Sequence, residues 1–316
     1  MTVDSTALSL ADFRAAAERI APYVLKTPTL SGESLAGPGV WLKAENLQRT
    51  GSFKVRGAIN AVLQLTAEQR QRGVITLSAG NHGQALAYAS QAFQIPCVVV
   101  IREDAPLTKL QAIRRYGAEI VLVPLAEWQQ RLEMEQQRRN LYLVHPFDDP
   151  GVAAGQGTVG LEILDAVPDL RSLIVPVGGG GLIAGIAVAI KAQRPKLRII
   201  GVEPEGAPVV SESLAAGHPV APSRLDSVAD GLGAPYTRPF TLGLIQRHVD
   251  QMRTVTDEAI IEAIKAIAQQ TKLVVEPAGA AAVAALLADP EIERPVAAVL
   301  SGGNVDMDRL GSWLSG

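Results

Sequence analysis

The stretch 74–144 alternates short apolar runs with helical patterns, and this alternation limits the fold more than any other feature of the sequence. Runs with the length of buried strands occur at 74–77, 97–101, 119–123 and 141–144. The residues between them repeat apolar positions at helical spacing, and the connections are short. A βαβαβαβ order of this kind requires a parallel sheet with helices on its faces.

The rest of the chain predicts a second α/β unit assembled from both chain ends. We expect a helix at 8–21, then extended segments within 28–45, and then a helix from the Lys54 segment to near Gly73. Beyond residue 145 strands are predicted at 173–177, 197–202 and 296–300, with helices between and after them. We therefore expect a large domain formed by residues 1–72 and 146–316 and a small domain formed by residues 73–145.

The composition argues against nucleic-acid binding and against a membrane protein. The chain has 316 residues, of which 47% are hydrophobic, and a formal net charge of −3 without a basic run. A basic face for nucleic acid is therefore not expected. Since no apolar stretch reaches the length of a membrane span, we expect a cytoplasmic protein without a membrane partner. Cys97 is the single cysteine, so the chain forms no internal disulfide.

Three turns rich in small residues each follow a predicted strand and lead towards a helix. They are Ser78–Gly83, Gly178–Gly181 and Ser301–Asn304. In an open parallel sheet such turns lie at the carboxyl ends of the strands, where ligands bind, and helix N-termini offer free N–H groups to anions. Four consecutive glycines let the backbone approach a phosphate closely.

A dinucleotide site is a rival interpretation of the tetraglycine turn. Gly179–Ala184 fits the pattern G-x-G-x-x-A, and Glu203 ends the next predicted strand. An NAD-dependent dehydrogenase would explain this turn but would leave Lys54 and the other two turns without a role. A non-catalytic amino-acid sensor is a further alternative, although sensing does not need Lys54.

The segment Thr50–Asn60 places a lysine at a predicted helix start. Ser52 is a good N-cap, which puts Lys54 in the first turn. The positive end of the helix dipole disfavours an ammonium there and lowers its pKa. Such an amine suits a nucleophile that forms a Schiff base, whereas a solvated surface lysine is the simpler alternative.

Polar residues in the other turns could contact an aromatic ligand. Asn81 can donate to a ring oxygen, the free N–H groups beside Asn81 and His82 suit a carboxylate, and Ser301 could hydrogen-bond a ring nitrogen. His82 could equally serve helix capping or packing. The remaining histidines, His145, His218 and His248, form no metal-ligand spacing, so no metal site is predicted.

Taken together, these motifs resemble the fold-type II pyridoxal-phosphate (PLP) enzymes, and within them the catabolic threonine/serine dehydratases and serine racemases. The resemblance covers nearly the whole chain, including Ala154–Thr158 and Glu276–Pro277. It implies a tryptophan synthase β-like α/β fold with two parallel-sheet lobes, the active site between them, and a homodimer.

The resemblance also implies a role for each motif. Lys54 would hold PLP as an internal aldimine and remove the Cα proton of an amino acid. The implied cofactor-binding residues are Phe53, Lys54, Asn81, Gly178, Gly179, Gly180, Gly181, Leu182, Glu276 and Ser301. The substrate carboxylate would lie among Ser78, Asn81 and His82.

The implied reaction is the loss of water from L-threonine or L-serine, which yields a 2-oxo acid and ammonia. Alternatives within the family are a dehydratase for another β-hydroxy amino acid, such as a hydroxyaspartate or a hydroxyectoine-derived compound, and a serine racemase. The racemases use a second acid/base, a serine that corresponds here to Ala79, whose methyl group cannot transfer a proton. They also bind a divalent cation through two carboxylates. Because Glu203 matches the first and the second falls on Val209, we expect no such site.

Overall fold

The computed structural model describes residues 8–105 and 107–315, which form two β-sheets flanked by helices. The strands are β1 (Thr29–Ser31), β2 (Val40–Ala44), β3 (Val74–Leu77), β4 (Cys97–Arg102), β5 (Glu119–Val123), β6 (Tyr142–Leu143), β7 (Ser172–Pro176), β8 (Arg198–Pro204), β9 (Gln251–Val255) and β10 (Val296–Leu300). None of the helices in these two ranges combines the length and the apolar character that crossing a bilayer demands.

The helices connect and cover these strands. They are α1 (Leu10–Ile20), α2 (Glu33–Ala36), α3 (Lys54–Leu63), α4 (Ala67–Arg72), α5 (Asn81–Ala92), α6 (Leu107–Arg114), α7 (Trp128–Arg139), α8 (Pro150–Ala166), α9 (Gly181–Lys191), α10 (Val209–Ala216), α11 (Pro239–His248), α12 (Asp257–Thr271), α13 (Pro277–Ala288) and α14 (Met307–Ser315). Short 3-10 helices occur at Glu45–Leu47, Leu125–Glu127 and Asp230–Leu232.

The smaller sheet contains four parallel strands in the order β5-β4-β3-β6, which confirms the βαβαβαβ prediction. Side chains alternate between its two faces, as a strand's period of two requires. Val99 and Ile101 pack on the side of α5 and α6, whereas Val98 and Val100 pack on the side of α7. Both faces are covered, so the central strands are mostly apolar, and the buried hydroxyl of Thr76 in β3 donates to the Val144 carbonyl.

The larger sheet takes strands from both ends of the chain, in the order β1-β2-β10-β7-β8-β9. It is parallel except for the edge strand β1, which is antiparallel to β2. Val296 of β10 lies between Val40 of β2 and Ser172 of β7, so the last strand closes the middle of the sheet. The predicted domain division stays a prediction, although every strand of the smaller sheet falls within 73–145. Residues 1–7 and 316, which belong to the predicted large domain, lie outside the described residues.

The structure corrects two details around the lysine. Ser52 is not the N-cap of α3; Phe53 is, and no side chain caps this helix. Ser52 is instead buried and forms an antiparallel bridge with Gly302. The single helix predicted up to Gly73 is also wrong, because α3 ends at Leu63 and α4 begins anew with a capping box between Thr66 and Gln69.

A buried ion cluster fixes α3 at its start. The Arg56 guanidinium is fully buried and donates to Glu45 at 2.7 and 2.8 Å and to Glu162 of α8 at 2.7 and 2.9 Å. Lys43 of β2, which is also buried, donates to Glu162 at 2.6 Å. Two cations and two carboxylates therefore neutralise one another, and they join α3 to β2 and α8.

We expect Arg56→Met to lower the free energy of unfolding by about 3 to 5 kcal/mol, because the buried Glu45 carboxylate loses its partner. Arg72→Met is the matched control, since it breaks an exposed pair with Glu68 worth no more than about 0.5 kcal/mol. Urea denaturation followed by circular dichroism measures both. Equal destabilisation in the two variants would contradict a dominant role for the buried cluster.

Candidate active site

The main chain ties the lysine segment to the turn after β10. Phe53 N–H donates to the Ser301 carbonyl at 3.1 Å, and Gly303 N–H donates to the Gly51 carbonyl at 2.8 Å. Together with the Ser52–Gly302 bridge, these bonds hold the start of α3 against Ser301. The lysine segment and the third predicted turn therefore meet through backbone hydrogen bonds that are independent of side-chain type.

Lys54 is the first residue of α3, and its amine is held in place by the chain. Its Nζ donates to the Pro146 carbonyl at 2.9 Å and lies 5.2 Å from the centre of the Phe53 ring. Burial lowers the pKa of Lys54 to about 8, although the negative charge of Glu276 opposes the shift. The lowered pKa agrees with the sequence prediction, but its main cause is desolvation rather than the helix dipole. A substantial fraction of the amine is neutral near pH 8 and can act as a nucleophile.

Asn81 joins the two sheets through a polar chain at the N-terminus of α5. Its Nδ2 donates to Glu276 Oε1 at 2.6 Å, and its Oδ1 accepts from Asn304 Nδ2 at 2.7 Å. Asn304 Nδ2 also donates to the Thr50 carbonyl at 2.8 Å. Burial raises the pKa of Glu276 to about 7, and the hydrogen bond from Asn81 limits that rise. These hydrogen bonds thus bring the turn Ser78–Gly83 next to the lysine segment and to the turn Ser301–Asn304.

The tetraglycine turn leads into α9 and is packed tightly on its protein side. A Cβ at Gly179 would lie 2.4 Å from the Phe147 ring, and one at Gly181 would lie 2.7 Å from Phe147. Gly180 has φ +96°, which favours glycine. Phe147 follows Pro146, the acceptor of the lysine bond, so the turn lies near Lys54.

Main-chain amides of this turn are free to bind an anion. Within 8–105 and 107–315, the N–H groups of Gly178–Leu182 donate to no acceptor. They include the N-terminal amides of α9, which carry the positive end of the helix dipole. The turn can therefore hold a phosphate.

The start of α5 offers a second set of free amides. Those of Asn81, His82 and Gly83 donate to nothing among the described residues, while Gly80 N–H donates to Ser78 Oγ at 3.2 Å. This helix N-terminus suits a carboxylate. The His82 imidazole is buried and its Nε2 lies 3.0 Å from the Val144 carbonyl. Burial, with Lys54 nearby, lowers the pKa of His82 to about 3. The imidazole is therefore neutral, and His82 can bind an anion through its main-chain amide but not through a positively charged ring.

Ser301 is a neutral partner at the end of β10. Its hydroxyl is buried and donates to the Ala278 carbonyl at 3.2 Å. The hydroxyl would have to turn its hydrogen away from Ala278 to donate to an unprotonated ring nitrogen. A hydroxyl can hydrogen-bond a ring nitrogen, but it cannot balance a full positive charge there as a carboxylate would.

The residues around Lys54 fit PLP, because their hydrogen-bond donors without acceptors match the polar groups of this cofactor. The five free amides of 178–182 match a phosphate dianion, and the Lys54 amine matches the aldehyde. Asn81 and Ser301 could contact the ring hydroxyl and the ring nitrogen, with Phe53 beside the ring. Glu276 orients Asn81 and takes part through that hydrogen bond.

Sequence reasoning missed the segment that connects lysine and tetraglycine. Phe147 packs on the glycines, and Asp148 accepts from the Thr241 amide at 3.1 Å and from its hydroxyl at 2.9 Å. The sequence showed His145–Phe147 only as the boundary of a domain. Thr237 was missed as well, although its hydroxyl donates to the Gly179 carbonyl at 3.2 Å. No spacing rule links these residues to Lys54, because only tertiary packing brings them there.

The carboxylate of Glu203 is used within the fold. It accepts from Val210 N–H at 2.7 Å and from Ser211 N–H at 2.8 Å, so it caps the start of α10. Burial raises the pKa of Glu203 to about 7. The described residues contain no group of three or more His, Cys, Asp or Glu side chains placed to hold a metal ion.

We expect Gly179→Ala to weaken PLP binding by at least about tenfold, because the new methyl group displaces the Phe147 ring and with it the free amides. Gly243→Ala is the matched control, since a Cβ within α11 at this position meets no atom within 4 Å. Titration of the apoprotein with PLP, followed by fluorescence, gives both dissociation constants. Unchanged affinity in Gly179→Ala would contradict the assigned phosphate cradle.

The rate at which the apoprotein captures PLP covalently should follow the neutral fraction of Lys54. We expect this rate to rise about tenfold per pH unit below pH 8 and to level off above it, because only the neutral amine attacks. Glu276→Gln should move the midpoint to lower pH, since the carboxylate that favours the ammonium is gone. Stopped-flow absorbance measures the rate, and a midpoint near the ordinary value of 10.5 would contradict the burial effect.

Comparison with known proteins identifies the family. The model of the pyridoxal-phosphate-dependent enzyme family matches residues 20–302. An L-threonine ammonia-lyase from Thermotoga maritima is 40% identical over 309 residues, covering 96% of this chain and 77% of the relative. A serine racemase from Dictyostelium discoideum is 38% identical over 319 residues and covers 98% of both chains.

Solved structures show the same fold. Maize serine racemase has a TM-score of 0.92 at 36% identity, covering 98% of this chain and 97% of that one. A T.th. threonine deaminase has a TM-score of 0.90 at 41% identity, covering 95% of this chain and 99% of that one. The fold-type II prediction is thereby confirmed, and the dinucleotide interpretation of Gly179–Ala184 is set aside because the family match includes that turn. The chain belongs to the pyridoxal-phosphate-dependent enzyme family.

Proposed function

We propose that this protein is a PLP-dependent ammonia-lyase that removes water from L-threonine and L-serine and releases a 2-oxo acid and ammonia. The observation that carries the proposal is the Lys54 amine, with its pKa lowered to about 8, beside a turn of free amides. The similarity to an L-threonine ammonia-lyase over 96% of the chain supports it.

When bound, PLP supplies an electron sink for the Cα carbanion of the amino acid. Lys54 would hold the cofactor through Nζ, and its free amine would take the Cα proton as the general base. Desolvation suits both tasks because it lowers the pKa of Lys54 to about 8 and so raises the neutral fraction of the amine. The Pro146 carbonyl, 2.9 Å from Nζ, orients the amine by accepting a hydrogen bond from it.

The substrate carboxylate lies at the start of α5 in this proposal. The free amides of Asn81, His82 and Gly83 and the Ser78 hydroxyl supply its hydrogen bonds. Because His82 is neutral, the positive end of the helix rather than a side-chain charge balances the carboxylate. In this arrangement the bound carboxylate would position Cα for proton removal by Lys54.

Ser301 favours elimination over reactions that need a long-lived carbanion. Its neutral hydroxyl does not hold a full positive charge on a ring nitrogen, which weakens the sink. A weak sink is sufficient when a β-hydroxyl leaves promptly, because loss of the leaving group removes the negative charge from Cα. Substrates with a β-hydroxyl therefore match this site.

Ala79 separates this proposal from a racemase. Racemisation needs an acid or base on the face of Cα opposite Lys54, and the residue between Ser78 and Gly80 is an alanine. Racemisation has to be considered because a protein named serine racemase is 38% identical to this chain. The cytoplasmic location, the homodimer and the domain division remain predictions.

Lys54→Ala tests the central claim. We expect the purified wild type to show a visible absorbance band that shifts with L-threonine and to form 2-oxo acid with ammonia in equal amounts. The variant should lack the band and lose at least about 10³-fold in kcat, because both tasks of the amine are removed. A lactate dehydrogenase-coupled assay and an ammonia assay measure the products, and equal turnover in the variant would sink the proposal.

Ala79→Ser tests the choice between elimination and racemisation. We expect the wild type to form little D-serine from L-serine, and the variant to form more, because the new hydroxyl can protonate the second face. Chiral chromatography of the amino acid pool gives the ratio of D-serine to 2-oxo acid. Substantial D-serine from the wild type would refute the assignment to Ala79.

A further inference from the structure

His145 lies between the lysine and the tetraglycine turn, and the proposed reaction gives it no task. It follows β6 and precedes Pro146, whose carbonyl holds Lys54 Nζ at 2.9 Å. The next residue, Phe147, packs on the tetraglycine turn. The His145 ring meets the Phe147 ring edge-on, with centroids 4.6 Å apart. His145 is therefore part of the wall that connects the two ends of the cofactor site.

Main-chain hydrogen bonds determine which ring nitrogen of His145 carries the proton. Nδ1 faces Asp148 N–H at 2.9 Å and Phe147 N–H at 3.3 Å, and both groups are donors. Nδ1 is therefore the acceptor, and the neutral ring carries its hydrogen on Nε2. Burial, with Arg238 and Lys54 nearby, lowers the pKa of His145 to about 3, so the ring stays neutral at working pH.

The Nε2–H group is buried and has no hydrogen-bond partner in the part of the chain that the structure describes. A buried donor without an acceptor is costly, and folded proteins rarely retain one without a use. The titratable and charged groups around the ring are Lys54, His82, Arg238 and Tyr236, and the Tyr236 ring lies 6.4 Å from that of His145. None of them accepts from Nε2, and His82 Nδ1 also has no partner, so the two imidazoles do not satisfy each other.

We propose that His145 Nε2–H donates a hydrogen bond to the β-hydroxyl oxygen of the substrate held at Lys54. The inference rests on the proposed function. An N–H group requires an acceptor, and in the proposed arrangement the other oxygens would have donors: the phosphate the free amides of 178–182, and the carboxylate the free amides at the start of α5. Asn81 Nδ2 donates to Glu276 in this structure, and its second amide hydrogen would serve a ring oxygen of the cofactor, which leaves the β-oxygen.

A neutral donor at this place polarises the bond from Cβ to oxygen. His145 keeps its proton, so no bond of the ring is made or broken. The hydrogen bond positions the hydroxyl and stabilises negative charge that develops on the oxygen as it leaves. His145 thereby also selects substrates that carry a β-oxygen.

Two substitutions test the Nε2–H donor of His145 independently of the turn that its Nδ1 stabilises. In His145→Asn the amide oxygen takes the place of Nδ1 and can accept from Phe147 and Asp148, but nothing reaches the place of Nε2. In His145→Gln the longer side chain can place an N–H donor near the former Nε2 position. His218→Gln is the matched control, since His218 is exposed.

Two substrates then separate the β-hydroxyl from the cofactor. L-Serine and β-chloro-L-alanine give the same 2-oxo acid and ammonia, but chloride leaves without a donor to oxygen. We expect kcat/KM of His145→Asn to fall at least about tenfold for L-serine and less than about threefold for β-chloro-L-alanine. His145→Gln should recover part of the loss, and the loss in His145→Asn should be the same at pH 6.5 and pH 8.5 because the ring is neutral at both.

The outcomes distinguish this inference from the proposed function. A wild type that forms no 2-oxo acid from L-serine, L-threonine or β-chloro-L-alanine refutes the proposed function, and the inference with it. An active wild type with an unaffected His145→Asn refutes the inference alone. Equal losses on both substrates, together with weaker PLP retention by fluorescence titration, assign the donor to a cofactor oxygen and overturn the link to the hydroxyl.

Discussion

The candidate active site depends on how the start of α3 is held, because Lys54 is the first residue of that helix. No side chain caps α3; the Arg56 guanidinium instead anchors its first turn to Glu45 and Glu162. The Phe53 amide and the Ser52–Gly302 bridge add backbone bonds to the end of the larger sheet. The amine is thus placed by buried charge and by main chain, neither of which changes readily with solvent.

In the proposed site, two helix N-termini would provide most of the anion binding. The starts of α5 and α9 both have amides without acceptors among the described residues, and the side chains that could have capped them are absent or point elsewhere. The His82 imidazole turns to the Val144 carbonyl, and the tetraglycine has no side chains. In the proposed site the helix ends would balance the anions of the ligands, so Lys54 would not be needed as their counter-charge.

The alternation of apolar runs predicted the smaller sheet well, since buried parallel strands need continuous apolar residues. Strands β5 and β10 also have their predicted bounds. Local patterns failed where tertiary contacts override propensity. Ser52 pairs with Gly302 instead of capping, and β9 consists of Gln251–Val255, whose side chains are mostly half-buried at the sheet edge. The split between α3 and α4 had a readable signal in the capping box at Thr66 and Gln69.

By itself, the sequence determined the α/β class, and it pointed to Lys54 and to the three turns that make up the proposed cofactor site. Strand length, helical spacing and glycine content are local properties, and the motifs are contiguous. Only the tertiary structure decided the state of these groups. Burial, more than the helix dipole, lowers the pKa of Lys54, and the Asn81–Glu276 hydrogen bond spans 195 residues. The orientation of His145 likewise follows from a turn and from packing, because desolvation and hydrogen-bond partners are set by residues far apart in the chain.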